Sequence, residues 1–466
     1  MRRFSLILIV FLSVLLIDAK TIKIITTGDM HGWLEAQTSA HQKLGGAAEM
    51  LTNWKMVEKY NQNDTLILSA GDNFTGAAVS SITEGQSVVD LMNIMKYDAT
   101  VVGNHEFDFG AGKIAVWQKK ANFDFLSANI YKKDDETKSW QKPYKIFNKD
   151  GVKVGVIGLT TTDLPYLTNN ATTFNVLPYQ KVLRDLVPQM RKEGADVIIV
   201  LAHIEQDKLI ELAKSCYDLY IPLYIGGHSH EFAQRYTNGA WIVNSGEWWK
   251  GYSIVDIEVD QGMVVVTSAK QVYLWGNIKP DAEAANQLKK WTANTEGLLN
   301  EKLGYAANAI SSEPALYNMV TDSWLSSEPN ADIAICNYGA LRQSIPAGII
   351  NYGTILGVMP FQDKLISIKI KGDKFLKSLP AKGNIGMSGL KFVDNNYILK
   401  NGGIIEPDKI YKVIMTDYQA DVTSVYKDSP REILYTSWRD PVVKWLKDNK
   451  TSTAKSLESI IDTKQR

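Results

Sequence analysis

The chain has 466 residues, more than one hydrophobic core ordinarily supports, so two domains are expected. Its 51 basic and 51 acidic residues cancel to a net charge of zero. That balance excludes a basic nucleic-acid footprint and an acidic tail, and leaves small molecules as the expected partners.

In chain order, residues 1–19 come first. Two arginines, an apolar stretch from Leu6 to Ile17 and a small residue at Ala19 have the shape of a cleaved secretory signal peptide. The stretch is shorter than the roughly 20 residues of a membrane span. The tail from Ser456 to Arg466 is polar and lacks the hydrophobic segment that directs a GPI anchor. A secreted or extracytoplasmic protein (extracellular, periplasmic or lumenal) with no stable membrane anchor is therefore expected. Sequons at Asn63, Asn73, Asn170 and Asn449 would carry glycans only in a eukaryotic host and only where exposed.

Five apolar, β-prone runs follow: TIKIITT (21–27), TLILSA (65–70), ATVV (99–102), VIIVL (197–201) and LYIPLYI (219–225). Their length and β-branched content predict buried strands of an α/β sheet. Associated with them are five short segments, GDMHG (28–32), GDN (71–73), GNHEFDFG (103–110), AHIE (202–205) and GGHSHE (226–231), which hold five of the six histidines. Ligands of open α/β sheets bind outside the carboxyl ends of the strands, so Asp29, His31, Asp72, Asn104, His203, His228 and His230 can converge on one crevice. Gly28, Gly71, Gly103, Gly226 and Gly227 are expected at sharp turns with positive φ. His41 belongs to no segment and is expected at the surface, while Glu106 and Glu231 are expected outside the site as solvated or hydrogen-bonding neighbours.

Imidazole and carboxylate are the usual nitrogen and oxygen ligands of catalytic transition metals, and a pair of ions about 3.5–4 Å apart needs a shared carboxylate. Seven candidates suffice for two divalent ions. The mixed set suits zinc, manganese, cobalt or iron, and the absence of cysteine from every segment argues against a thiolate-held structural zinc. Cys216 and Cys336 are expected as buried thiols.

Further strand-like runs, 241–246, 251–260 and 262–275, complete a first domain of residues 20–280. The stretch 281–303, with Leu288, Trp291, Leu298 and Leu299 and no internal proline, predicts a helix that links to a second domain, 304–466.

The order D-x-H, GD, GNHE, H, GHxH resembles the calcineurin-like metallophosphoesterases. Segments 331–376 and 408–421 resemble the carboxy-terminal domain of the 5′-nucleotidase family. The resemblance implies a four-layer α/β/β/α sandwich followed by a smaller α/β substrate-binding domain. It assigns Asp29, His31 and His230 to a first metal and Asn104, His203 and His228 to a second, with Asp72 bridging. His105 and Asp108 become a catalytic dyad, and the nucleophile a hydroxide on the metals. An N-x-G-x-x-R segment, matched by Asn337, Gly339 and Arg342, would contact substrate, and Phe361, after Pro360, would form one wall of a nucleobase clamp with Tyr418 as the other. Each stacked face is worth roughly 1–3 kcal/mol with little dependence on the base.

The implied function is a secreted dinuclear-metal phosphoesterase that hydrolyses nucleoside 5′-phosphates. The alternatives are another nucleotide (a 2′,3′-cyclic nucleotide, a nucleoside di- or triphosphate or a nucleotide sugar) and a catalytically inactive secreted nucleotide-binding protein. The chain departs from the family pattern at Ser311 and Ser312, where an arginine is usual, and after Tyr418, where QADVTSVY replaces a Gly-Gly-Asp-Gly stretch. Asp421 and Asn384 are left as candidates to read the edge of a base.

Overall fold

The computed structural model describes residues 19–39, 42–135, 137–427, 429–464 and 466. The expected signal peptide, apart from Ala19, and His41 lie outside them.

Two six-stranded sheets form the first domain. One runs in the order Met263–Tyr273, Gly251–Asp260, Lys20–Thr27, Thr65–Ser69, Ala99–Val101, Asp124–Leu126, and its last four strands are parallel. The other runs Phe232–Thr237, Ala240–Ser245, Leu223–Gly226, Val197–His203, Val152–Thr160, Tyr144–Lys149, with the middle four parallel. Side chains alternate between the faces of a strand. Ile22, Ile24, Leu66 and Leu68 of the first sheet meet Val156, Ile199, Leu201 and Ile225 of the second in one cluster closed to solvent. Ile25 and Ile67 point the other way, into Trp54, Met92 and Trp117 of the helices Ala47–Met56, Gln86–Ile94 and Ala111–Gln118. The second sheet is covered in the same manner by Leu183, Val187, Leu209 and Leu212 from Tyr179–Lys192 and Gln206–Ser215. The result is the expected α/β/β/α sandwich, with each fully buried aliphatic side chain contributing about 1.5–3 kcal/mol.

Two strand readings need correction. Only Leu223–Gly226 of the run 219–225 is a strand, because Pro222 has no N–H for the ladder and Tyr217–Leu219 form a 3₁₀ turn. Val152–Thr160 is a central strand outside the five expected runs, its apolar pattern broken by Gly155 and Gly158. At Gly158 a Cβ would lie 2.6 Å from that of Leu126, so a larger residue would push the two sheets apart.

The helix Ala282–Leu299 starts at Asp281, whose carboxylate accepts the N–H groups of Glu283 and Ala284. Ala284 and Leu288 are buried in the first domain's core, and Gln287 and Trp291 donate to Asp90 at 3.1 and 3.2 Å. Beyond it, a five-stranded sheet has the order Ile385–Ser388, Ile333–Asn337, Ile410–Thr416, Leu365–Lys371, Arg431–Tyr435. One face packs on the helices Tyr317–Ser327 and Asp440–Asn449, the other on Gly372–Ser378.

Cys216 and Cys336 are free, buried thiols. Asn73 is fully buried, so its sequon is not exposed. No helix among the described residues is long and apolar enough to cross a membrane.

Candidate functional site

Both sheets end their parallel strands at one edge of the sandwich, and all seven candidate ligands stand there. Asp29 and His31 follow Lys20–Thr27, Asp72 follows Thr65–Ser69, and Asn104 follows Ala99–Val101. From the second sheet, His203 ends Val197–His203, and His228 and His230 follow Leu223–Gly226. The loops are tied together. Asp29 N–H donates to Gly71 O at 3.0 Å and His31 N–H to Asp72 O at 2.9 Å. Between sheets, His203 Nδ1 donates to Ala70 O at 2.8 Å and His228 N–H to Asp29 Oδ1 at 2.9 Å.

Glu106 is the knot of this framework. It is fully buried, and its carboxylate accepts N–H groups from Asp72 (3.0 Å), Asn73 (2.8 Å) and Gly103 (2.6 Å). Burial, reinforced by Asp72, pushes its pKa up to about 7. Of the two readings of Glu106, the hydrogen-bonding one holds, while Glu231 is exposed.

The glycine expectation is largely reversed. Among the five, only Gly71 has positive φ, and the left-handed conformation is carried instead by Asp29 (51°), His31 (46°), Asp72 (54°), His228 (73°) and His230 (58°). Asp and His tolerate that region better than most side chains, and such strain concentrates at functional sites. Gly103 serves close approach: a Cβ there would fall 2.3 Å from Asp72 Oδ1.

Three groups of side chains converge closely enough to hold a cation: Asp29, His31 and His230; His31, Asp72 and His105; and Asp72, His203 and His228. His31 and His230 face each other through Nε2 atoms 3.0 Å apart. The other nitrogen of each ring is engaged, by Thr75 O at 3.2 Å and by the Glu247 carboxylate at 2.6 Å. Since those partners only accept, both Nε2 atoms present lone pairs, an arrangement that fits a shared cation. His203 Nε2 similarly meets Asn104 Oδ1 at 3.1 Å, His228 Nδ1 at 3.2 Å and Asp72 Oδ2 at 3.0 Å. The donor set fits two divalent ions, with Asp72 grouping with His31 on one side and with His203 and His228 on the other.

Charge within the site is strongly coupled. Burial disfavours a charged His203, yet the adjacent Asp72 carboxylate outweighs it and pushes the ring up to about 10. Burial and then the His105 ring hold His31 well below its usual range, while burial and then the His203 ring lower His228 to about 4. Burial raises Asp29 to about 6.

His105 Nδ1 lies 2.8 Å from Asp108 Oδ2, and the His105 N–H donates to Asp72 Oδ1 at 2.8 Å. Desolvation opposes charge on this ring, but Asp108 and Asp72 together raise its pKa. Facing it across a cavity of about 630 Å³ is the second domain. Asp72, Asn104, His105, Asp108, His228 and His230 line one side, and Asn337, Arg342, Phe361 and Tyr418 the other. Phe361 stacks on His105, Arg342 lies 5.9 Å from the Phe361 ring centre, and Asn337 Oδ1 has no partner among the described residues.

Neither Asp421 nor Asn384 is among the residues lining this cavity; Asp421 pairs with Arg431 instead. The acids on the substrate side are Asp363 and Asp417, which sequence reasoning passed over. Burial, with Asp417 and Asp108 nearby, pushes Asp363 up to about 8. Its only sequence signal is its position two residues after Phe361.

Residues 22–232 match the family model described as calcineurin-like phosphoesterase, and residues 293–427 that of the 5′-nucleotidase C-terminal domain. Protein UshA of Yersinia enterocolitica is 26% identical over 471 residues, covering 86% of this chain and 85% of that protein. The 5′-nucleotidase of Vibrio parahaemolyticus is 25% identical over 464 residues, covering 87% and 81%. In fold, the chain superposes on the crystal structure of a 5′-nucleotidase precursor from Thermus thermophilus with a TM-score of 0.80, at 24% identity, over 93% of this chain and 97% of that one.

Proposed function

Because the chain belongs to the 5′-nucleotidase family and is a phosphoesterase of that family, we propose that it hydrolyses nucleoside 5′-phosphates to nucleoside and phosphate, and that it does so outside the cytoplasm. The observation that carries the reading is the shared cavity, in which the phosphoester chemistry of one domain and the flat apolar wall of the other are adjacent. The export assignment rests on the residue pattern of 1–19 alone.

Two divalent ions held by Asp29, His31, Asp72, Asn104, His203, His228 and His230 would supply Lewis acidity toward the phosphate and acidify the attacking water. The remaining work belongs to the side chains. Asp108 accepts the Nδ1 proton of His105, so Nε2 is the atom that turns toward the phosphate and can pass a proton to the departing ribose oxygen. Phe361 and Tyr418 would hold the base, and Arg342 offers paired donors to ribose or phosphate oxygens. Division of labour between residues 20–280 and 304–466 follows, with the helix after Asp281 packed on the catalytic side. An intact His105–Asp108 pair favours an enzyme over an inactive binding protein.

Phosphate release from a panel of nucleoside mono-, di- and triphosphates, cyclic nucleotides and nucleotide sugars tests this, with added manganese or zinc against a chelated control. Metal-dependent turnover led by 5′-monophosphates is expected. Turnover confined to another member of the panel would replace the substrate, and none at all would leave a binding protein.

A further inference from the structure

The four candidate histidine ligands are held by different means. His31 and His203 each donate their second nitrogen to a backbone carbonyl, of Thr75 and of Ala70. His228 Nε2 has Glu205 at 3.7 Å, beyond hydrogen-bond reach. Among the described residues, His230 alone has its second nitrogen held by a carboxylate at hydrogen-bond distance, Glu247 Oε2 at 2.6 Å from Nδ1. We propose that Glu247 is a positioning residue for the first metal group, acting through His230. This rests on the dinuclear reading above.

An ionised carboxylate only accepts, so its bond to Nδ1 fixes the tautomer with the proton on Nδ1 and the lone pair on Nε2. That lone pair faces His31 Nε2 at 3.0 Å and Asp29 Oδ1 at 4.0 Å. Glu247 is itself braced. Lys250 Nζ donates to its other oxygen at 2.7 Å and lies 3.9 Å from the centre of the Trp248 ring. The Trp248 N–H donates to Asp29 O at 3.0 Å, so this short segment reaches two of the three members of the group. In the second group, around His203 and His228, no carboxylate from outside the ligand set lies within hydrogen-bond distance of either ring among the described residues. The two ions should thus differ in their dependence on residues outside the ligand set. Outer partners of this kind are worth about 10–100-fold in metal affinity.

The test is calorimetric titration of the chelated full chain with manganese(II), paired with elemental analysis, for the parent and for Glu247→Gln, Glu247→Ala, His230→Ala and the double variant Glu247→Ala/His230→Ala. The parent is expected to take two ions. Glu247→Ala should weaken one of them by about 10–100-fold and leave the other within about 2-fold, with Glu247→Gln between. In the His230→Ala background the same change should have no further effect on binding. Lys250→Met, which keeps the stem over Trp248, provides a milder perturbation should Glu247→Ala misfold, and should weaken the same ion. The inference is overturned if the parent takes two ions and the Glu247 variants bind both unchanged, or if the loss persists without His230. A parent that binds no ion overturns the dinuclear reading and the inference with it.

Discussion

The ring of Phe361 lies almost parallel to that of His105, at 12° with centroids 5.5 Å apart, so the expected base wall of one domain rests on the expected acid of the other. Tyr418 lines the same cavity and makes no ring-to-ring contact among the described residues. The two aromatics should therefore separate on mutation. Tyr418→Ala should raise KM for nucleotides by roughly 10-fold, from about 1–3 kcal/mol of lost stacking, and leave hydrolysis of a small aryl phosphate nearly unchanged. Phe361→Ala should do the same to nucleotides and in addition lower kcat on the aryl phosphate, because His105 loses a face that packs against it. Identical aryl phosphate kinetics in both variants would show that the stack has no part in catalysis.

His105→Ala should lower kcat by about 10²–10⁴, the range for a positioned acid or base, with metal content unchanged. Asp108→Asn should cost less, since an amide oxygen still accepts from Nδ1 while its charge is gone. Steady-state kinetics with elemental analysis of the same samples checks both.

Asp72 reaches His203 Nε2 at 3.0 Å and joins the group with His31 and His105. Asp72→Asn should therefore weaken both ions and remove nearly all turnover, whereas loss of His228 should weaken one ion. Full occupancy of both sites in the Asp72 variant would remove it from the bridging role.

Asp363 carries a pH signature. Its carboxyl is raised to about 8 in the folded state, above its unfolded value near 3.9, by burial, Asp417 and Asp108, with Arg439 opposing. A raised folded pKa means the native state binds the proton more tightly, so the stabilisation is complete below about pH 4 and is lost as pH rises through 8. Asp363→Asn should remove that dependence. Its Tm should exceed the parent's by a margin that grows from pH 5 to pH 9, and a constant margin in thermal melts would show that Asp363 is not the group responsible.

Strands that read as near-continuous apolar, β-prone runs were legible, as at 65–70 and 197–201, because burial on both faces favours apolar side chains throughout. Val152–Thr160 hid behind two glycines whose reasons lie elsewhere in the fold: Gly158 lets Leu126 of the facing sheet approach, and Gly155 lets Met190 of the covering helix do so. The candidate ligands stood out because each follows a strand and carries a metal-binding group. The positive φ angles of five of them did not, since the sequence pattern points to glycine for that conformation while the loops here bend at aspartate and histidine. Glu106 was visible only as a neighbour, because its three N–H partners come from two loops some thirty residues apart. Glu247 and Asp363 were illegible for a different reason. One meets His230 only when a turn brings them together, and the other joins the site only when the second domain stands against the first.

The strand Lys20–Thr27 has Thr65–Ser69 on one side and Gly251–Asp260 on the other. A chain made at about 5–20 residues per second therefore carries its first strand for roughly 10–45 s before the second neighbour exists. Throughout that interval one edge of a buried-type strand offers unpaired N–H and C=O groups, the usual template for mispairing between chains. His230 also arrives late, so no incomplete chain ending before it holds the full ligand set. Slower elongation past residue 230 should then raise aggregation of the nascent protein more than the same delay placed after residue 260.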